Sequence, residues 1–252
     1  MTVMDFSFNA ITFRDLFHNA VADYIKDVVP DKDDVNSPHN LLAAMDQAID
    51  VMARADADSV VQKEMSAESI GMLEEKDISQ IGQHVLDLLE AMVSSVQKKM
   101  GEQNRDLLRL SLPLSLWVAR RGGKLAQIDM VVNSLAEYAN EVTESHQLGE
   151  LAVVIHEVIE ACGDDIKKDL EQTNMMRPWR ILNLNYGIVA TRSHQPKLIE
   201  QAYDTLVKNL PQDARGFFRE GLQQMDIVGY PDDVREVVER YNKMWGAEGV
   251  LH

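Results

Sequence analysis

The sequence predicts an all-α protein built from stacked antiparallel helix pairs, and three observations carry that prediction. Pro178, Pro196, Pro211 and Pro231 fall at intervals of 18, 15 and 20 residues, so alternate prolines lie 33 and 35 residues apart. Each opens a stretch with helical apolar spacing, where proline is tolerated because the first turn has no internal acceptor for the N–H it lacks. A helix–turn–helix unit recurring about every 34 residues is the mark of a helical-repeat array. Glycine and proline are sparse, 13 and 7 in 252 residues, whereas they punctuate turn-rich β-proteins closely. Thirteen methionines against 6% aromatic residues suit helical packing, where flexible side chains fill irregular gaps.

The elements follow in order. Thr12 with Asp15 three residues later reads as a capping box, and Phe13, Phe17, Val21, Tyr24 and Val28 continue at helical spacing. Pro30 and the acidic turn Asp31-Lys32-Asp33-Asp34 stop this helix. Ser37-Pro38 opens the next, lined by Leu41, Met45, Ile49 and Met52. Residues 55–77, with Ala55-Asp56-Ala57-Asp58 and Met65-Ser66-Ala67-Glu68, carry mixed signals and are expected to form a connector holding a short helix. Asp77 to Met100 is strongly periodic through Ile78, Val85, Leu89, Met92 and Val96, and Lys98-Lys99 and Gly101 close it. A helix from Leu107 to Trp117 contains Pro113, which should kink or divide it. Gly122-Gly123 end it before a partner running from Leu125 to Tyr138.

Glu144 and Cys162 lie 34 residues before Pro178 and Pro196, and both adjoin helix breaks, so the repeat extends upstream without its prolines. About four helix pairs are expected from Glu102 to Trp245, in right-handed stacking. The expected organisation is an irregular helical section over residues 1–76 and a helical-repeat section over 77–252, with one continuous domain as the alternative.

Within the unit opened by Pro178, Trp179-x-x-Leu182-Asn183-x-x-Tyr186 resembles the first helix of a tetratricopeptide repeat, W-x-x-L-G-x-x-Y. Asn183 stands at the glycine position, and Ala202 at the small position of the second helix. Ile199 replaces that helix's large aromatic residue, Gln195 the small residue four before it, and Pro211 comes four residues later than the family's closing proline. In the following unit Gly221 matches the small position and Phe217 replaces the tryptophan. The resemblance covers Pro178 to Trp245 and implies a right-handed superhelix whose first helices line a concave, peptide-binding surface.

The net charge of −16 repels phosphate, so neither nucleic acid nor an anionic membrane is expected as a partner. Cys162 is the only cysteine, which excludes an internal disulfide and fits a cytoplasmic home. Met1-Thr2-Val3-Met4-Asp5 has neither a basic nor an apolar leader segment, and the uncharged run Leu110–Ala119 is half of what a membrane span needs.

No reaction centre is legible. His156-Glu157-x-x-Glu160 has a glutamate where a zinc protease helix needs its second histidine. Asp15-x-x-His18 is no substitute for the Glu-x-x-His pairs of a di-iron bundle. Gly122-Gly123-Lys124 lacks the rest of a phosphate loop. His156 and Cys162 are six residues apart, so on one helix they point about 120° apart and do not pair. No metal, cofactor or catalytic residue is expected; His156 and Glu160 read as an i,i+4 surface pair and Cys162 as a buried thiol.

Small basic and polar sets stand out on the acidic chain. Arg120 and Arg121, with Lys124, surround the double-glycine turn. Arg177, Arg180 and Asn183 lie on or beside the Trp179 helix, with Arg192 at its end. Arg180 and Asn183 flank the core stripe Trp179, Leu182, Tyr186 and Val189. The tetratricopeptide resemblance implies that Arg177, Arg180 and Asn183 hold a partner's carboxylates, with Arg120 at the rim and Arg121 and Arg192 as further candidate partner contacts. The function expected is a non-enzymatic helical-repeat scaffold that binds a protein or peptide. An enzyme or small-ligand binder with an interhelical pocket is the alternative, and a homo-oligomeric structural protein is a third architecture.

Overall fold

The computed structural model describes residues 6–31, 33–64, 74–101 and 104–245. Met1 to Asp5, Met65-Ser66-Ala67-Glu68 and Glu102 lie outside the described residues. The protein is all-α: among the described residues there is no strand, and the one β-type backbone pairing is an isolated bridge between Leu125 and Cys162. The described chain divides into two compact units, one holding residues 6–134 with Ala161–Gly163, the other holding Leu135–Glu160 and residues 164–245.

In the first unit α1 (Ala10–Lys26) starts two residues before the Thr12 expected from sequence. Asn9 caps it instead, its side chain accepting from the Thr12 N–H at 3.0 Å. Ser37 precedes α2 (Pro38–Glu64), a helix of 27 residues. The connector expected from residue 55 therefore begins as a continuation of this helix. Ala55, Asp56 and Ala57 contain no breaker, and Asp56 Oδ1 accepts the Trp117 indole N–H at 2.7 Å.

The next helix, α3 (Glu75–Met100), opens two residues before the expected Asp77, whose carboxylate accepts the Glu74 N–H at 3.2 Å. Gly101 closes it in the left-handed conformation, φ 76°. Pro113 divides the following helix as expected. It cannot donate to the Arg109 carbonyl, and the chain forms α4 (Arg105–Arg109) and α5 (Ser111–Arg120) on either side of Leu110. Because α3 packs against both α2 and α5, the division expected between residues 76 and 77 falls inside a single unit. Phe17, Met45, Ile49, Leu89, Met92, Leu107 and Leu112 fill its core.

The chain leaves this unit within α6 (Asp129–Glu141) and returns briefly at the end of α7 (Ser145–Ala161). Leu125 N–H donates to the Ala161 carbonyl and Gly163 N–H to the Leu125 carbonyl, both at 2.8 Å, which ties residues 161–163 to the first unit and leaves Cys162 fully buried.

The second unit continues with α8 (Asp164–Lys167), α9 (Pro178–Arg192), α10 (Pro196–Asn209), α11 (Pro211–Val228) and α12 (Asp232–Trp245). Pro178, Pro196 and Pro211 each take a first-turn position, while Pro231 is the residue just before α12. Short connections make α9 with α10 and α11 with α12 antiparallel pairs, and α10 lies against both α11 and α12. The core between them is aromatic: the Tyr203 ring meets Phe218 at 4.9 Å and Tyr241 at 5.1 Å, both edge-on.

Two consequences follow from this packing. A Cβ on Gly82 of α3 would collide with Val118 Cγ2 of α5. Gly82→Leu should destabilise by about 2–3 kcal/mol, because overpacking outweighs the ~1 kcal/mol of helix propensity gained, and urea unfolding measures it. Burial, with the negative charge of Glu160, pushes the Tyr186 phenol up to about 12. Burial also raises Tyr203 and Tyr241. The folded state then holds these protons after an unfolded chain has released them. Stability should be fully present below pH ~10 and fall as pH rises toward ~12. Absorbance titration of phenolate should show these tyrosines ionising late, together with unfolding.

Candidate functional site

A groove of about 250 Å³ runs between α9 and α11. Pro178 and Pro211 start these helices 33 residues apart, and residues with that offset face each other: Arg180 Nε donates to Asp213 Oδ1 at 2.7 Å. The floor comes from Leu184 and Ile188 of α9 with Phe217 of α11, and Glu220 stands on the α11 wall. Phe217 comes close because Gly187 has no side chain; a Cβ there would lie 2.6 Å from Phe217 Cζ. Close approach thus occurs at Gly187, one turn after Asn183, the position that matches the glycine of the repeat pattern.

Most of the polar residues singled out from the sequence are engaged internally. Arg177 is 5% exposed. Its guanidinium holds both Asp169 carboxylate oxygens, the NH2 to Oδ2 distance being 2.8 Å. It also donates to the carbonyls of Gln172 and Asn174 at 3.2 and 3.1 Å. Hydrogen bonding to Asp169 raises its pKa, so it remains a cation. Asp213 lies between the two arginines, 3.7 Å from Arg177 and 2.7 Å from Arg180. Arg180 also donates to the Met175 carbonyl at 3.0 Å.

Arg192 donates to the carbonyls of Ala139 and Val142 at 2.6 and 2.9 Å, closing the last turn of α6. Asn183 is fully buried, donating to the Trp179 carbonyl and accepting from Asn209, both at 2.8 Å. Arg121 pairs with Asp56 and stacks 4.9 Å over the Trp117 ring. Arg120 is exposed at the end of α5, in the first unit. The expectation that the arginines present open charge to carboxylates is therefore corrected for Arg177, Arg180, Arg192 and Arg121. The carboxylates they pair with, and the carbonyls that Arg192 holds, lie 8 to 65 residues away in sequence, and no spacing within one helix encodes those partners.

The other candidates have structural surroundings. His156 stacks on Tyr186 at 5.5 Å and 26°. His18 Nε2 lies 2.9 Å from Asp46 Oδ1. Among the described residues no group of three or more His, Cys, Asp or Glu is placed to hold a metal, and no helix is long and apolar enough to cross a membrane. A wider cleft of about 820 Å³ lies between α7 and the α9–α10 turn, lined by His146, Glu150, His194 and Lys197. The His146 side chain is 74% exposed and 3.7 Å from Glu150. His194 and Lys197 are exposed as well, whereas Glu150 is half-buried, its Oε2 lying out of solvent with no hydrogen-bond partner.

Sequence reasoning passed over Leu184 and Ile188 and named Phe217 only as the residue at the tryptophan position of the repeat pattern. The signal was present: Leu184 and Ile188 are spaced i,i+4 away from the core stripe, as apolar residues on a second face of the same helix. Comparison with protein-family models, curated proteins and solved structures finds no match. Arg177→Met should cost about 3–5 kcal/mol, since it leaves the Asp169 carboxylate, 9% exposed, without its cation. Arg177→Met with Asp169→Leu should recover part of that loss in denaturant unfolding.

Proposed function

We propose that this protein is a non-enzymatic helical-repeat binding or scaffold protein. In this reading α9 to α12 belong to a right-handed, tetratricopeptide-like array, and a protein or peptide segment docks along the first helices α9 and α11. The observation that carries it is the groove: an apolar floor of Leu184, Ile188 and Phe217, with Ile188 46% exposed, between helices offset by the repeat length. The Arg180–Asp213 pair supports the stacked arrangement, because a contact at i,i+33 is what adjacent repeats of this period produce.

An enzyme with an interhelical pocket is the weaker reading. The cleft beside α7 would need buried titratable groups converging on a reacting atom, and both its histidines, His146 and His194, are exposed. A charge of −16 argues against nucleic acid as the partner, and the single cysteine fits a reducing, cytoplasmic setting.

Peptide-display selection against the purified chain tests the reading. Enriched peptides should lose about 30-fold in affinity for Ile188→Asp, which places an unpaired charge in the floor, and bind Lys197→Ala normally. Full affinity for Ile188→Asp, or loss of binding to Lys197→Ala, would remove the groove as the binding surface.

A further inference from the structure

The loop before α9 has an unusual economy. Arg177 is buried to hold it: four of its hydrogen bonds go to Asp169, Gln172 and Asn174, and Asp169 adopts φ 48° within this arrangement. The loop so fixed turns its apolar side chains outward, Leu170 being 83%, Met175 56% and Met176 75% exposed. Two hydrogen bonds join it to the groove, from Arg180 to the Met175 carbonyl at 3.0 Å and from Gln212 to Gln172 at 3.0 Å. Met175 and Met176 therefore sit at the Arg180 end of a strip that continues over Leu184 and Ile188. Arg180, Leu184 and Ile188 are one turn apart, so this part alone runs about 12 Å. Methionine adapts its shape to a docked side chain, which suits an exposed apolar surface to recognition.

The charge on this strip is the reverse of what a carboxylate ligand requires. Arg180 is neutralised by Asp213, whereas Glu220 has no ion-pair partner among the described residues and Glu171 is exposed on the loop. Building on the proposed binding groove, we infer that its occupant is a cationic amphipathic helix. Its apolar anchors at i, i+4 and i+7 lie on Met176, Leu184, Ile188 and Phe217, and a Lys or Arg beside them meets Glu220. A third helix laid between two helices packs by ridges and grooves and needs no free backbone edge, which an extended segment would seek. A second copy of this chain is disfavoured as occupant, because a two-fold contact would bring the acidic surfaces of two −16 chains together.

Two synthetic 16-residue helical peptides that share a leucine face, one with lysine and one with glutamate at its polar positions, test this by fluorescence anisotropy at about 150 mM salt. The lysine peptide should bind at least about tenfold more tightly. Its affinity should fall about tenfold or more for Ile188→Asp and for Met176→Ser, and several-fold for Glu220→Gln, with circular dichroism and melting temperature unchanged. Tighter, Ile188-dependent binding of the glutamate peptide would overturn the cationic partner and leave the groove standing. Lysine-peptide binding that ignores Ile188→Asp and Met176→Ser would be attraction to an acidic chain and would overturn both. Binding of neither peptide overturns the cationic helix, as does a dimer in light scattering that Ile188→Asp disperses, which assigns the surface to a second copy.

Discussion

A buried guanidinium must find acceptors for its N–H groups, and around Arg177 that requirement organises one end of α9 and α11. Asp169, Gln172 and Asn174 supply the acceptors from the preceding loop. Asp213 supplies a further carboxylate from the start of α11 and shares it with Arg180. Desolvating these charges is expensive, and the arrangement is stable because each charge is met by an opposite one in good geometry. The register of α9 on α11, the path of the loop and the outward facing of its methionines all follow from this network.

The same economy of charge recurs elsewhere. Asp56, on a helix that continues into an expected connector, takes the Trp117 indole N–H and pairs with Arg121. Arg192 closes α6 through two carbonyls. Arg121, Arg177, Arg180 and Arg192 are thus drawn into internal contacts, which a planar, permanently charged fork suits. Under the proposed function, binding then falls to exposed apolar residues. In this reading a helix with a second apolar face, Leu184 and Ile188 beyond the stripe of Trp179, Leu182 and Tyr186, has more apolar surface than its own core consumes.

Small residues set how closely the helices approach. Gly82 admits Val118 between α3 and α5, and Gly187 admits Phe217 between α9 and α11. Asn183 stands at the glycine position of the repeat pattern, and its amide reaches both the Trp179 carbonyl and Asn209, so it links helices by hydrogen bonds. The bare position moves one turn along, to the next residue of the helix facing α11.

The sequence by itself determined the helices and most of their ends. Proline starts, glycine stops and 3.6-residue apolar spacing act within a turn or two, so they are readable in a short window, as at Pro178, Pro211 and Gly101. The 33-residue spacing of Pro178 and Pro211 was legible for the same reason, since prolines are local punctuation. Only the tertiary structure decided where the charges go and which apolar face remains open. Asp213 reaches Arg180 across 33 residues and Ala139 accepts from Arg192 across 53. A guanidinium's partner depends on which helices pack together, and no spacing within one helix encodes that.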